Sequence, residues 1–150
     1  MLFCFGIYKN INNLLWEEEA KGMPTKISNS IKLDLLTRQV IQLYFSHQNF
    51  KDISGFFDEK MSCIVSVGKN VYTSKKEIEK YFHNQKNTSD CISVEIITTL
   101  VNEIKEDVIA VIVMLKIQLK NQKSYKVNLS FIWSKGKRQL WKIVHIHYSN

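Results

Sequence analysis

Two histidines, His145 and His147, stand two residues apart near the end of the chain. Side chains at i and i+2 of an extended strand leave the same face, so both rings point to one side. Such a pair could bind a metal or act as acid and base, but either role needs a third group. His47, His83, Cys63 or the in-strand acid Glu95 could supply one, yet none sits at a spacing that encodes a ligand set. The plainer reading has the rings hydrogen-bonded within a sheet or across a subunit boundary. Tyr44, Phe57, Trp133 and Trp141 fit either the lining of an apolar pocket or a packed core. No metal and no cofactor is expected.

The elements that must position these residues show in the hydrophobic period. Residues 124–133 and 140–148 alternate apolar and polar side chains, and the link between them carries Gly136 and three basic residues, which is the pattern of a hairpin. Residues 92–101 and 107–119 alternate as well, with short connections, so four antiparallel strands in a meander are expected. Residues 107–119 are apolar at both parities, which predicts a central strand covered twice. The earlier chain has helical spacing. Ser28-Asn-Ser30 offers N-cap side chains, and Leu33, Leu36, Val40, Leu43 and Tyr44 form a stripe that predicts a helix to about His47. Phe50, Ile53, Phe56 and Phe57 suggest a second, shorter helix ending near Asp58–Lys60. Residues 61–67 read as a strand, and Ser74-Lys-Lys-Glu77 as the capping box of a third helix with Ile78, Tyr81 and Phe82 buried.

A chain of 150 residues with 45% hydrophobic and 23% charged residues is one globular domain of ordinary size. Residues 1–25 are expected to form an appended or poorly ordered segment, with Met23 as an alternative start, and 26–150 the domain. The apolar opening Met1–Tyr8 lacks a basic flank and is interrupted by Glu17–Glu19, so neither a signal peptide nor a membrane span is expected. Three cysteines, Cys4, Cys63 and Cys91, are too few and too scattered for a disulfide framework, which makes a reducing cytoplasm the expected location. The net charge of +7 comes mostly from dispersed lysines, with Arg38 and Arg138 the only arginines. Bidentate recognition of phosphate and guanine relies on arginine, so no nucleic-acid partner is expected.

Specific residues resemble the NTF2-like, or SnoaL-like, domains. Tyr44-Phe45, Ile53 to Asp58, Val67-Gly68, Ser74 to Ile78 and Tyr81-Phe82 follow that family's opening pattern. Trp133 followed by Trp141-Lys-Ile-Val-His-Ile-His-Tyr-Ser149 resembles the W…W-x-x-V-H-x-H-x-S ending of one branch. That branch includes bacterial sensor-associated SnoaL-like domains and the association domain of calcium/calmodulin-dependent protein kinase II. The resemblance runs from about Lys32 to Ser149 and implies an α+β cone, a curved antiparallel sheet wrapped around N-terminal helices.

This scaffold hosts enzymes and binding modules alike, so function must be read from the site. In the similar steroid-isomerase branch the catalytic aspartate lies in V-E-D-P-V-G. The matching stretch here is Cys63-Ile-Val-Ser-Val-Gly68, which puts Val65 at the base and, in the same register, Ile41 at the oxyanion tyrosine. Proton abstraction beside a carbonyl would lose both supports. In the kinase association branch a basic residue faces the cavity where this chain has Tyr148, so carboxylate binding is not implied. The expected function is a non-catalytic ligand-binding and dimerisation module, sensory or regulatory in role. Its pocket would draw on Tyr44, Phe57, Trp133, His145, His147 and Tyr148 and take a small apolar or weakly polar ligand. The alternative is a small hydrolase, dehydratase or isomerase using His145 or His147 with Tyr44 or Tyr148. A homodimer formed through the sheet is expected either way, because an apolar sheet face left in water is an association site.

Overall fold

A computed structural model describes residues 27–45, 50–66, 69–85 and 91–150. The expectations for residues 1–25, for His47 and for Val67-Gly68 lie outside the described residues.

Helix α1, Asn29–Phe45, begins where the sequence offers a cap. Ser28 Oγ accepts the Ile31 amide at 3.3 Å, satisfying one of the donors left open at a helix start. Leu33, Thr37, Val40 and Ile41 recur at helical spacing and are buried. The second helix, α2, is a single turn at Lys51–Ser54 that seats Phe50 and Ile53 in the core. Strand β1 then runs Phe57–Val65, so the expected helix through Phe57 and the break at Asp58–Lys60 are both corrected. Phe50, Ile53 and Phe57 are spaced as a helix face, but pairing with the last strand overrides that local period. The Ile143 amide donates to the Phe56 carbonyl at 2.7 Å and locks the strand start in place. The polar residues 58–60 ride on a register irregularity between Phe57 and Ser62, where Asp58 Oδ1 accepts the Lys60 amide at 2.9 Å.

After the short β2, Asn70–Tyr72, helix α3 spans Lys75–Gln85. Ser74 Oγ accepts the Glu77 amide at 3.3 Å as the capping box requires. Glu77 reaches back one residue further than expected and accepts the Thr73 amide at 2.7 Å. Four long strands follow: β3 Cys91–Lys105, β4 Val108–Leu119, β5 Tyr125–Lys135 and β6 Trp141–Ser149. They form the expected antiparallel meander.

The six strands make one sheet in the order β2-β1-β6-β5-β4-β3. The sheet is antiparallel as expected through the meander, and it also holds one parallel pairing, between β1 and β6. The chain leaves β1 and returns as β6 only after α3 and the meander, a crossover that permits parallel neighbours. Bulges interrupt β3 three times and the β5–β6 ladder once, and such extra residues bend a sheet. Helix α1 packs across β3 and β4 on the concave side, while α3 packs on β1.

The inner face is the core. Ile109, Val111, Val113, Leu115 and Ile117 of β4 and Val127, Leu129, Phe131 and Trp133 of β5 are buried beneath the helices. The other parity of β4 is only partly covered. Ala110 is buried, whereas Ile112 is 39% exposed and Lys116 is exposed. The second cover predicted for this strand is therefore not supplied within the described chain.

Candidate functional site

Between the concave face, α1 and α3 lies a cavity of about 620 Å³, a size that suits a single small ligand. Its walls are built from both layers. Helix α1 contributes Ile41 and Tyr44, α3 contributes Ile78, Tyr81 and Phe82, and β1 contributes Phe57, Cys63 and Val65. The meander adds Leu129 and Phe131 from β5 and Ile146 and Tyr148 from β6, with Gln122 and Asn150 exposed at the rim.

Every described side chain lining this space is uncharged. Its polar groups are amides, thiols and phenols. Burial pushes the Cys63 thiol up to about 11, which leaves it protonated and a poor nucleophile at neutral pH. Burial is also the main reason the Tyr44 and Tyr148 phenols are held well above the ordinary tyrosine value, with neighbouring phenols adding to it. Tyr44 meets Phe45 and Phe82 edge to face, at ring separations of 5.1 and 5.4 Å.

The residues singled out in the sequence separate into three places. Tyr44, Phe57 and Tyr148 line the cavity together. Trp133 does not. It is fully buried beside α1, where its indole Nε1 donates to Thr37 Oγ1 at 2.9 Å and that hydroxyl donates onward to the Leu33 carbonyl at 2.7 Å. His145 and His147 are on the opposite side of the sheet. Ile146 and Tyr148 pair with Phe131 and Leu129 and point inward, so the alternating His145 and His147 point outward, beside Ile132 and Ser130. His145 Nδ1 is hydrogen-bonded to Ser62 Oγ at 2.6 Å, and His147 Nε2 to Ser66 Oγ at 2.8 Å. These contacts are the in-sheet arrangement that the plainer reading of the pair anticipates.

The separation has a chemical consequence. A histidine and a tyrosine on opposite faces of one sheet cannot share a substrate, so the pairing considered for an enzyme is not assembled. Nor does either ring have a carboxylate among its hydrogen-bond partners in the described residues. His83 lies 3.7 Å from Glu79 on α3, an exposed pair remote from both. No group of three or more His, Cys, Asp or Glu among the described residues could hold a metal ion. Tyr81, Tyr125 and Cys63 are cavity residues that sequence reasoning did not select. Their signal was present, because Tyr125 shares the parity of Phe131 and Tyr81 the stripe of Ile78 and Phe82.

A family model described as a SnoaL-like domain matches residues 36–150. The chain belongs to the SnoaL-like family. No curated protein matches it in sequence. Among solved structures, this SnoaL-like domain is similar to the association domain of C. elegans CaMKII, with 18% identity, coverage of 79% of this chain and 93% of that one, and a TM-score of 0.65. It is also similar to a candidate ketosteroid isomerase from Parabacteroides distasonis, with 12% identity, 85% and 92% coverage, and a TM-score of 0.65. An NTF2-like protein of unknown function from Pseudomonas putida gives 12% identity, 75% and 82% coverage, and 0.61. At these identities the likeness establishes the NTF2-like cone fold alone. Among the described residues no helix is long and apolar enough to cross a membrane.

Proposed function

We propose that this SnoaL-like domain is a non-catalytic, cytoplasmic module that holds a small, apolar or weakly polar ligand in its cone and associates with a second copy through the outer face of its sheet. Its role would be sensory or regulatory, with neither nucleic acid nor membrane as a partner. One observation carries the reading. Val65 and Ile41, the residues that resemblance aligns with an isomerase's base and oxyanion donor, both line the cavity. The space is in the right place for that chemistry and holds aliphatic carbon where its working groups would be.

Apolar walls remain good for binding, since burying apolar ligand surface is worth about 25 cal/mol per Å². The name of the C. elegans relative describes an association domain, and the outer sheet face of this chain carries exposed apolar residues that suit the same use. The test is a pair of measurements on the unmodified protein. A Δ5-3-ketosteroid should show no isomerisation above background, while apolar compounds of matching size should raise the melting temperature in the unmodified chain and do so much less in Val65→Trp, whose indole intrudes into the cavity. Steroid turnover that disappears in Tyr44→Phe would overturn the non-catalytic reading, and stabilisation that survives Val65→Trp would place the ligand elsewhere.

A further inference from the structure

Resting on the reading of the outer sheet face as the surface shared with a second copy, we infer that His145 and His147 are half of a zinc site, which the same two residues of that copy complete around one ion. Within one chain the pair lacks a third ligand among the described residues. Three features of the structure make a second copy the source of the rest.

The first is how the rings are held. His145 is fixed through Nδ1 by Ser62 Oγ at 2.6 Å, and His147 through Nε2 by Ser66 Oγ at 2.8 Å. No other hydrogen bond engages either ring among the described residues, so His145 Nε2 and His147 Nδ1 are open. A hydroxyl oxygen can accept from a ring N–H, and a neutral imidazole that donates from one nitrogen carries its lone pair on the other. Metal-ligating histidines are oriented in this way, by an oxygen that accepts from the second nitrogen. Ser62 is half-buried and Ser66 exposed, so water is within reach of the hydrogen each hydroxyl must then place.

The second is reach. Residues two apart on a strand are separated by roughly 6.6 Å along it. A tetrahedral zinc ion with Zn–N bonds of about 2.0 Å holds two nitrogens about 3.3 Å apart, a gap that two rings leaning together can close. Such a chelate fills two positions, whereas structural zinc takes four ligands.

The third is location. Strand β6 is the third of six in the order β2-β1-β6-β5-β4-β3, so the pair lies near the middle of the outer face. A two-fold axis sets residues near it against their own copies, which turns two imidazoles into four. The residues paired directly with them are Ser62 and Ile64 on β1 and Ile132 and Ser130 on β5, all uncharged. No ammonium directly across a strand therefore opposes a cation. Imidazole nitrogen without carboxylate suits zinc and disfavours calcium and magnesium.

Zinc chloride titrated into the full chain after treatment with a chelator tests the site, with calorimetry reading stoichiometry and sedimentation reading assembly. One zinc per two chains is expected, and zinc should raise the dimer fraction in protein diluted until it is partly monomeric. Ser62→Ala combined with Ser66→Ala should weaken zinc binding about tenfold or more, the usual worth of groups that hold ligating rings. His145→Gln combined with His147→Gln removes the ligands themselves and should lose more than that. Zinc affinity that survives the histidine replacements would overturn the inference, as would one zinc per chain or zinc that leaves the dimer fraction unchanged. Should the histidine variant fail to fold, cobalt(II) in the unmodified chain decides. The visible bands of a tetrahedral ion at one per two chains support the site, and an octahedral spectrum overturns it. The chelator-treated chain separates this inference from the reading beneath it. A metal-free dimer that ignores zinc removes the site and keeps the sheet interface. A chain that is monomeric in chelator and dimeric with zinc keeps the site and removes metal-free association.

Discussion

His145 carries a residue-scale consequence of facing outward. Its ring is hydrogen-bonded to Ser62, and burial, then the neighbouring His147, lowers its pKa below the ordinary value of 6.5. The folded state therefore prefers the neutral ring, and at pH values between the two constants the unfolded chain binds more protons. Stability from this residue is complete above about 6.5 and declines as the pH falls through that value. Urea midpoints should drop between about pH 7.5 and 5.5, and His145→Gln, which keeps an acceptor for Ser62, should show a shallower drop. An unchanged slope in that variant would remove His145 from the account. Trp133 shows what the residue scale conceals from the sequence. Its parity with Phe131 is readable and correct, so it faces inward as expected. What parity lacks is distance along the strand: the wall is open at Phe131 and sealed by Thr37 one step further on. The same limit leaves Tyr81 and Tyr125 indistinguishable in sequence from aromatics that only fill the core, although they line the cavity beside Tyr44, Phe57 and Tyr148. Every inward aromatic looks alike until the covering helix is placed.

Elements were legible where one period dominated and illegible where two agreed locally. The four long strands, the α1 cap at Ser28 and the Ser74–Glu77 cap all stand within a few residues of their sequence signals. The spacing of Phe57 from Phe50 and Ile53 serves a helix and a strand start equally well. Only pairing with β6, distant in sequence, decides between them. The turn between β5 and β6 offers a subtler case. Gly136 marks it in the sequence, yet the left-handed residue there is Gln139, with φ of 61°. The turn closes through Gln139 N to Gly136 O at 2.9 Å and Gly136 N to Leu140 O at 3.1 Å. A Cβ added to Gly136 would meet nothing within 4 Å, and its backbone lies outside the left-handed region. The chain has placed its flexible residue where none is required and a strained one where glycine would fit. Gly136→Ala should therefore raise stability by about 0.4–1 kcal/mol through the unfolded state, and Gln139→Gly should also raise it by relieving the strain. Urea denaturation measures both, and a loss of more than about 1 kcal/mol in Gly136→Ala would show the turn to be misread.

At the scale of the molecule, the question is what covers the outer face. Sequence alone shows both parities of 107–119 to be apolar but cannot say which faces out, since Lys142 and Val144 give conflicting signals. The structure resolves the conflict with a bulge. Between the Trp133–Ile143 and Ile132–His145 pairs, β6 carries Val144 as an extra residue, so parity reverses there. Ile112, Met114 and Ile132 consequently share the outer face with His145 and His147. Leu100, opposite Ile112 on β3, is 61% exposed, and Ile64 on β1 is 37% exposed. These residues cross the sheet from β3 to β1, and the helices among the described residues, which lie on the other side, shield none of them. A two-fold axis through this face would let one patch complement itself, and a standard interface removes roughly 800 Å² per partner from water. The unmodified chain should sediment as a dimer at about ten micromolar, where an interface of that size is normally populated. Ile132→Lys and Ile112→Lys should each yield a folded monomer, because a lysine buried against its two-fold copy would have no counter-charge. Ile31→Lys supplies the control: that side chain is 56% exposed on α1, away from the outer face, and its replacement should leave the dimer intact. A monomer in the unmodified chain at that concentration would sink the proposal. A dimer that tolerates both outer-face lysines but not Ile31→Lys would move the interface from the sheet to the helix.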